Sequence, residues 1–325
     1  MSSPSADGPS IDDLLGPRHG RFFGDGYRRT APRLRVLRVD HRPTESTLSG
    51  SAGVHVSHAW SVKDGRQQRP HLATTDVLAL TAQCVGALLA SRFDPATAAR
   101  SLVTDVQLVA GNEPHEENLE EFPLVAELRV ASERESSVTF TAHVGSMTAT
   151  GTLTRPPAVP SMANLAASAS ETLALCRGPY GTALPARSLN LVSVRTDGSA
   201  ARVMSLLACS AHGSSEHVGL EAAFQPAYTL VDVFVATLQL GQVLLYDLDS
   251  ISRGSSSTLW MRTTRLQTTG PLEIGTGPIE IDVALQRARL ITKDDATWRL
   301  ADIVGHLGPY RSRASVAHQI PSPAR

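Results

Sequence analysis

Two long apolar segments dominate the hydrophobic pattern of the chain. Residues 75–93 and 230–248 are apolar at most positions over about five helical turns, which predicts two largely buried helices. The second segment is the more apolar, but Asp232, Gln239, Gln242 and Asp247 interrupt it. These polar residues argue against a membrane-spanning helix and in favour of a core helix.

Shorter segments alternate apolar and polar residues with the period of a β-strand. Turn residues separate them, which favours an antiparallel sheet. The predicted strands are 34–39, 125–130, 137–143, 147–153, 201–207, 257–264 and 279–285. The Ser/Pro/Gly-rich start at 1–10 is predicted to be disordered, and the polar end at 312–325 is predicted to fray. Residues 163–175 are predicted to be helical within a connector.

The two apolar segments are related by an internal repeat. Superposing the chain on itself with an offset of 156 residues gives eight identities over positions 70–108 without a gap. Chance would give roughly two or three. The matched pairs include Pro70 with Pro226, Asp76 with Asp232 and Gln83 with Gln239. Each half therefore offers a leading strand region, a long helix and several further strands.

One central helix wrapped by an antiparallel sheet is the hotdog pattern, and two such units make a double hotdog of the α+β class. About 110 residues per unit is an ordinary domain size. The predicted division is an N-terminal arm at 1–40, a first unit at 41–154, a connector at 155–187, and a second unit with its C-terminal tail at 188–325.

The repeat places the same polar pair on both helices. Asp76 and Gln83 are seven residues apart and share a helical face, as do Asp232 and Gln239. A buried carboxylate is costly unless it is paired or protonated. Two interpretations remain open. The aspartates cap the helix starts while the glutamines satisfy backbone groups, or the aspartates act as acid or base while the glutamines bind the substrate carbonyl.

Two histidines lie before the helices and are candidate proton carriers. His71 comes five residues before Asp76, whereas its counterpart in the repeat is Ala227. His217 comes nine residues before Pro226. Because hotdog sites usually combine a histidine from one unit with a carboxylate from the other, the candidate pairs are His71 with Asp232 and His217 with Asp76.

Composition excludes several functional classes. The 325 residues carry 30 basic and 31 acidic side chains, a net charge of −1 that does not suit nucleic-acid binding. The three cysteines at 84, 176 and 209 lack CxxC spacing, so neither a disulfide scaffold nor a zinc site is expected. The polar start lacks a signal-peptide pattern, which predicts a cytoplasmic protein. Neither a metal nor a cofactor is predicted.

The chain has only two lysines. Lys63 and Lys293 lie in polar, turn-like segments, so neither is expected to have a depressed pKa or to form a Schiff base.

The segment 10–17 (SIDDLLGP) followed by 21–27 (RFFGDGY) resembles the opening of the avirulence protein D (AvrD) family. That family is associated with the synthesis of syringolides, which are acyl glycosides built from a β-ketoacyl chain and a pentulose. By analogy, hotdog-type butyrolactone synthases join a β-ketoacyl thioester to dihydroxyacetone phosphate. The resemblance therefore implies an acyltransferase or condensing enzyme that makes a syringolide- or butenolide-like signal.

The expected substrates are an acyl-carrier-protein or CoA thioester and a small hydroxylated acceptor, with no nucleic acid or membrane partner. The protein is expected to be a monomer or a homodimer. Two alternatives stay open. The segment 217–226 is similar to the histidine motif of double-hotdog dehydratases, although Gly219 comes two residues early, so a dehydratase or cyclase of polyketide type is the first. The second is a non-catalytic acyl-binding effector.

Overall fold

The structure is a computed structural model that describes residues 8–56, 60–63, 65–132, 134–157, 178–197, 202–211, 218–256 and 258–321. Within these residues, twelve strands form one antiparallel sheet. Two long helices lie against it, and they also contact each other.

The helices are α1 (Ile11–Leu15), α2 (Tyr27–Arg29), α3 (Thr74–Arg92), α4 (Pro95–Ala99) and α5 (Leu230–Leu248). The strands are β1 (Thr30–His41), β2 (Glu45–Val56), β3 (Val62–Lys63), β4 (Arg66–Gln67), β5 (Leu102–Val109), β6 (Phe122–Arg129), β7 (Ser137–Val144), β8 (Met147–Thr154), β9 (Arg187–Thr196), β10 (Arg202–Ala211), β11 (Trp260–Thr268), β12 (Ile279–Lys293), β13 (Ala296–Leu307) and β14 (Tyr310–Gln319). Strands β3 and β4 form a separate small hairpin.

The large sheet has a two-fold pattern. Its order is β1-β2-β6-β7-β8-β5-β11-β14-β13-β12-β10-β9, so the second half repeats the first in reverse. The two halves join through β5 and β11, where Leu108 pairs with Thr264 and Val106 pairs with Leu266. Along the chain, the long helix of each half lies between the second and third strands of the large sheet, which are β2 and β5 in the first half and β10 and β11 in the second. The double hotdog is therefore confirmed, with its two sheets continuous through the central strand pair.

The helices confirm the internal repeat. Both α3 and α5 have 19 residues, and both ends of α5 lie 156 residues after those of α3. Each is long and apolar enough to cross a membrane by length and composition, but almost all of each helix is buried inside the protein. The apolar surface that predicted these helices therefore forms the protein core.

Helix α5 approaches the sheet closely because glycines lie at the contact. A Cβ atom on Gly241 would come within 2.5 Å of the Ile303 side chain on β13. A Cβ atom on Gly305 of the same strand would come within 2.6 Å of Thr237 Oγ1. The absence of side chains at both positions brings the helix and β13 together.

Two features differ from the prediction. Strand β1 pairs with β2 from Thr30 onward, so the first unit begins inside the segment assigned to the arm. The prediction that 312–325 frays is wrong for 312–319, because β14 pairs with both β11 and β13; residues 322–325 lie outside the described residues. In β14 the buried face holds small residues such as Ser312 and Ala314, so its alternation is weak in the sequence. The helix predicted at 163–175 lies outside the described residues.

Candidate active site between the two units

Helix α3 begins inside the protein, where few side chains accept hydrogen bonds from its first amide groups. Its N-cap residue is Ala73, which has no side-chain acceptor for the first amide groups. Asp76 is 2% exposed, and its Oδ2 accepts a hydrogen bond of 3.1 Å from the Ala73 amide. Its Oδ1 lies 2.8 Å from the hydroxyl of Thr30, the first residue of β1. The carboxyl of Asp76 thus joins the helix start to the first strand.

Burial favours the neutral form of Asp76, whereas its hydrogen bonds with Thr30 and the Ala73 amide favour the ionised form. Burial raises the pKa of Asp76 to about 6. The Thr30 hydroxyl lies 2.7 Å from the Tyr27 carbonyl as well as 2.8 Å from Asp76, and its single hydrogen serves only one of them. When Thr30 donates to the carbonyl, a protonated Asp76 donates to Thr30, and all three oxygens are satisfied.

Helix α5 starts with a complete cap. The Thr229 hydroxyl accepts from the Asp232 amide at 3.2 Å, and Asp232 Oδ2 accepts from the Thr229 amide at 2.8 Å. Asp232 also pairs with Arg187, the first residue of β9, whose Nε lies 2.9 Å and Nη2 2.5 Å from Oδ2. Both charged side chains are buried, at 3% and 0% exposure. Asp232 therefore has an ionic partner where Asp76 has a hydroxyl.

Two further side chains close the start of α5. The Tyr180 hydroxyl accepts from the Leu230 amide at 3.2 Å and donates to Glu221 at 2.6 Å. The other oxygen of Glu221 accepts from the amide of Val103 on β5 at 2.9 Å. Both side chains are buried, and burial raises the pKa of Glu221 to about 7. Sequence analysis did not single out either residue.

The corresponding position at the first helix lacks this hydroxyl. Thr30 and Arg187 start equivalent strands and are 157 residues apart. The same offset relates Phe23–Gly24 to Tyr180–Gly181. Tyr180 supplies a hydroxyl to the start of α5, whereas Phe23 has none to supply.

The helix glutamines hold the segments that lead into each unit. Gln83 Nε2 donates to the Tyr180 carbonyl at 2.8 Å, and Gln239 Oε1 accepts from Arg21 at 2.7 Å. Both glutamines are buried. His217 lies outside the described residues.

A cavity of about 340 Å³ lies at the start of α3, between the two units. Its walls include His71, Ala73 and Thr74 from the first unit and Gln242 from α5. The β12–β13 hairpin, whose first strand has 15 residues against 8 in the equivalent β6, adds Lys293 and Trp298. Asp76, Gln83, Asp232 and Gln239 are not among the described residues that line it.

The cavity holds His71 in an aromatic setting. The ring of His71 lies 4.4 Å from the ring of Trp60 and 5.9 Å from that of Trp260. Burial lowers the pKa of His71, so the ring is neutral near pH 7. All three tryptophans of the chain line this cavity. The indole N–H of Trp60 is buried and has no hydrogen-bond partner among the described residues.

Lys63 also lines the cavity, contrary to its predicted solvated setting. Burial, with the nearby Arg253 charge, lowers the pKa of Lys63 to about 8. Its Nζ donates to the carbonyl and the hydroxyl of Ser256 at 3.3 and 3.2 Å. Sequence analysis missed this because the two loops that meet here come from different units.

Of the six site residues predicted from the sequence, the structure brings His71 to the cavity. The described contacts of the two aspartates are those of helix caps, the alternative that the sequence left open. Trp60, Trp260 and Arg253 join His71 at the cavity without having been predicted. The chemistry that the cavity offers is proton transfer beside a helix N-terminus, in a pocket that contains several aromatic side chains and several cations. No group of three His, Cys, Asp or Glu side chains in the described part of the chain is placed to hold a metal ion.

Comparison with known proteins gives one family. The family model described as Pseudomonas avirulence D protein (AvrD) matches residues 8–321. No curated protein matches the chain.

Solved structures give distant likenesses. The tesB protein of Mycobacterium avium subsp. paratuberculosis is 13% identical, with a TM-score of 0.41 over 92% of this chain and 100% of that one. The dehydratase domain of a mycocerosic acid synthase-like polyketide synthase is 12% identical, with a TM-score of 0.38 over 89% and 94%. The acyl-CoA thioesterase II TesB2 of Mycobacterium marinum is 11% identical, with a TM-score of 0.41 over 89% and 97%. None of them indicates an activity for this chain.

The Arg187–Asp232 pair is expected to be essential for stability. Replacing Arg187 with Met leaves a buried carboxylate without its cation, which should lower the free energy of unfolding by about 3–5 kcal/mol in a urea titration. The control is Arg202→Met, which breaks the exposed pair with Asp282 and should cost at most about 1 kcal/mol. Equal losses in both variants would contradict the assignment.

Asp76 should make stability depend on pH. With its pKa raised from 3.8 to about 6, the folded state keeps the proton that the unfolded state releases between these values. Ionisation of Asp76 therefore lowers the free energy of unfolding as the pH rises through this window, by about 3 kcal/mol in total. The unfolding free energy of Asp76→Asn relative to that of the wild type should rise by most of that amount between pH 4 and pH 7. The contribution of Glu221 is common to both proteins and cancels. A difference that does not change with pH would be evidence against a buried neutral carboxyl.

Proposed function

Because this chain belongs to the Pseudomonas avirulence D protein (AvrD) family, we propose that it transfers the acyl group of a thioester to a hydroxyl group of a small acceptor. The observation that carries this proposal is the placement of His71. Its ring lies near those of Trp60 and Trp260 on the wall of an interface cavity, next to the start of α3.

His71 serves as the general base. Burial lowers its pKa, so at neutral pH the imidazole is unprotonated and ready to accept a proton. Its Nδ1 lies 3.4 Å from the Arg69 carbonyl, which orients the ring from the backbone. An N–H at Nδ1 leaves Nε2 as the acceptor for the substrate hydroxyl proton.

The start of α3 polarises the thioester carbonyl. The first amide groups of a helix have no acceptor within the helix and lie at the positive end of its dipole. Thr74, the first residue of α3, lines the cavity, and the N-cap Ala73 leaves the place of a capping side chain empty. At α5 the Tyr180 hydroxyl accepts from the equivalent amide of Leu230. A substrate oxygen takes that role at α3.

The transfer step follows from these placements. The acceptor hydroxyl loses its proton to His71 as its oxygen attacks the thioester carbon, and the helix amides stabilise the resulting oxyanion. Collapse of this intermediate breaks the C–S bond, and His71 returns the proton to the departing thiolate. The products are an ester and a free thiol, and no electrons are exchanged.

The substrate classes are those that the family resemblance implies. A β-ketoacyl group arrives on CoA or on an acyl carrier protein, and the acceptor is a small polyhydroxylated ketone. The ester is then the precursor of a syringolide- or butenolide-like product. The aromatic walls suit an acyl chain, which gains about 0.8 kcal/mol per methylene removed from water.

The other predicted residues have supporting roles in this proposal. Asp76 and Asp232 fix the helix starts, while Gln83 and Gln239 fix the segments packed on the helices. A catalytic role for His217 stays a prediction.

The test is product formation by the purified protein. A β-ketoacyl-CoA is incubated with dihydroxyacetone or a pentulose, and ester and free CoA are followed by mass spectrometry and thiol titration. His71→Ala should lower kcat by about 10²–10⁴-fold because it removes the general base. The control is His143→Ala, which changes an exposed histidine on β7 and should keep wild-type turnover. The rate should rise with pH through a pKa below 6.5 and then stay constant to pH 8.

Other outcomes identify the alternatives. An α,β-unsaturated thioester formed from a β-hydroxyacyl substrate would replace the proposal with a dehydratase. A saturable change in tryptophan fluorescence on adding thioester, without any turnover, would replace it with an acyl-binding protein. Full activity in His71→Ala would contradict the site.

A further inference from the structure

The N-terminal segment (residues 8–29) packs on the second unit and reaches the cavity. Helix α1 of this segment contacts α5 and β9. The Val194 amide of β9 donates to the Pro9 carbonyl at 2.9 Å, which fixes the start of the segment to the edge of the sheet. Further along, the segment contributes Phe22 and Phe23 to the wall of the cavity.

These two phenylalanines continue the aromatic contacts of His71 toward the core. The centre of the Trp60 ring lies 4.4 Å from that of His71 and 4.6 Å from that of Phe22. The Phe22 and Phe23 rings are 5.3 Å apart, and Phe23 lies 5.9 Å from Phe234 of α5. Phe234 is fully buried and is not among the described residues that line the cavity. The aromatic lining therefore ends at Phe23, where the core begins.

The cavity has a buried end and an exposed end. Phe22, Phe23 and Trp60 are only 8–9% exposed. The exposed residues of the lining come from the β5–β6 loop, from β11 and from the β12–β13 hairpin, and they include Asn112, Glu113, Arg262, Ile291 and Lys293. A thioester has two matching ends, because its acyl chain is apolar and its carrier is polar. The buried end suits the chain and the exposed end suits the carrier.

Tight contacts fix the backbone around the two phenylalanines. A Cβ atom on Gly26 would come within 2.5 Å of the Trp60 carbonyl oxygen, so only glycine allows this approach. On the other side, the buried Arg21 side chain forms an ion pair with Asp12 and donates to Gln239 at 2.7 Å. The wall at the buried end therefore has a fixed position.

We propose that Phe22 and Phe23 form the closed end of the acyl-binding site and set the longest acyl chain that the protein accepts. This inference rests on the proposed function, which places the thioester carbonyl beside His71 and the start of α3. The acyl chain then runs along Trp60 toward the N-terminal segment, and the carrier stays at the exposed end. The segment 21–27 thereby gains a role in substrate selection.

The test is the chain-length dependence of binding to the full-length protein. S-alkyl-CoA thioethers from butyl to dodecyl, lengthened one carbon at a time, are titrated by calorimetry, which requires no turnover. Affinity should rise about four-fold per methylene while the chain extends along the cavity. It should stop rising once the chain reaches Phe22 and Phe23. Affinity that rises evenly over the whole series, or that does not depend on chain length, would overturn the closed end.

Substitutions locate the wall. Phe22→Leu and Phe23→Leu remove ring atoms, so each should move the limit to chains longer by about one or two methylenes. Phe22→Trp adds atoms and should move the limit to shorter chains. The control is Phe140→Leu, which makes the same change at a buried position on β7 outside the described lining and should leave the limit unchanged.

The opposite shifts separate the wall from an effect on folding, because lost stability cannot move the limit in both directions. An unchanged limit in both leucine variants, or an equal shift in Phe140→Leu, would contradict the assignment.

The outcomes also separate this inference from the proposed function. A chain-length limit that moves with Phe22, without any acyl transfer, keeps the acyl-binding site and rejects the reaction. Acyl transfer whose chain-length preference is the same in the wild type and in both leucine variants keeps the reaction and rejects the closed end.

Discussion

Each of the two long helices begins inside the protein, where its first amide groups are removed from water. Such groups must find an acceptor, because a buried unsatisfied donor costs about 1–3 kcal/mol. At α5 the protein supplies the acceptors itself, through Thr229, Asp232 and the hydroxyl of Tyr180. At α3 the N-cap is Ala73 and the nearby space is a cavity. The two helices thus differ in what accepts hydrogen bonds from their first amide groups. This difference separates two nearly equivalent units into a structural half and a candidate active half.

The partners of the two aspartates follow from the same division. Asp232 lies beside Arg187 in a fully buried ion pair that fixes the second unit to its first strand. Asp76 lies beside Thr30, and burial raises its pKa because no cation is supplied. The cavity beside it receives a neutral histidine, aromatic walls and cations from both units. Hydrophobic and charged side chains from both units therefore line the same cavity.

Much of this architecture could be predicted from the sequence because it repeats. Helix α5 starts and ends at the predicted residues, and α3 is shifted by one residue at each end. The repeat has His71 in the first unit and Ala227 at the equivalent position of the second, which predicted a difference between the two sites. The structure places His71 at the cavity. The catalytic interpretation of the aspartates could not be separated from capping, because an acid at the third position of a helix serves both purposes.

Other features lay beyond a sequence pattern for physical reasons. Lys63 and Arg253 are 190 positions apart, and each lies in a polar loop that resembles solvated surface until the other unit covers it. Tyr180 and Glu221 meet at α5 only because two segments of the fold converge there. Burial created by tertiary contact sets the chemistry of these residues, and local composition does not reveal it.

The central claim is that one of the two related helix starts is open to substrate and the other is closed. Isothermal titration with a non-hydrolysable thioether analogue of a β-ketoacyl-CoA, monitored in parallel by tryptophan fluorescence, tests it directly. The account predicts one ligand bound per chain, with a fluorescence change that saturates at the same ratio. Two ligands per chain, or binding that leaves the fluorescence unchanged, would contradict it.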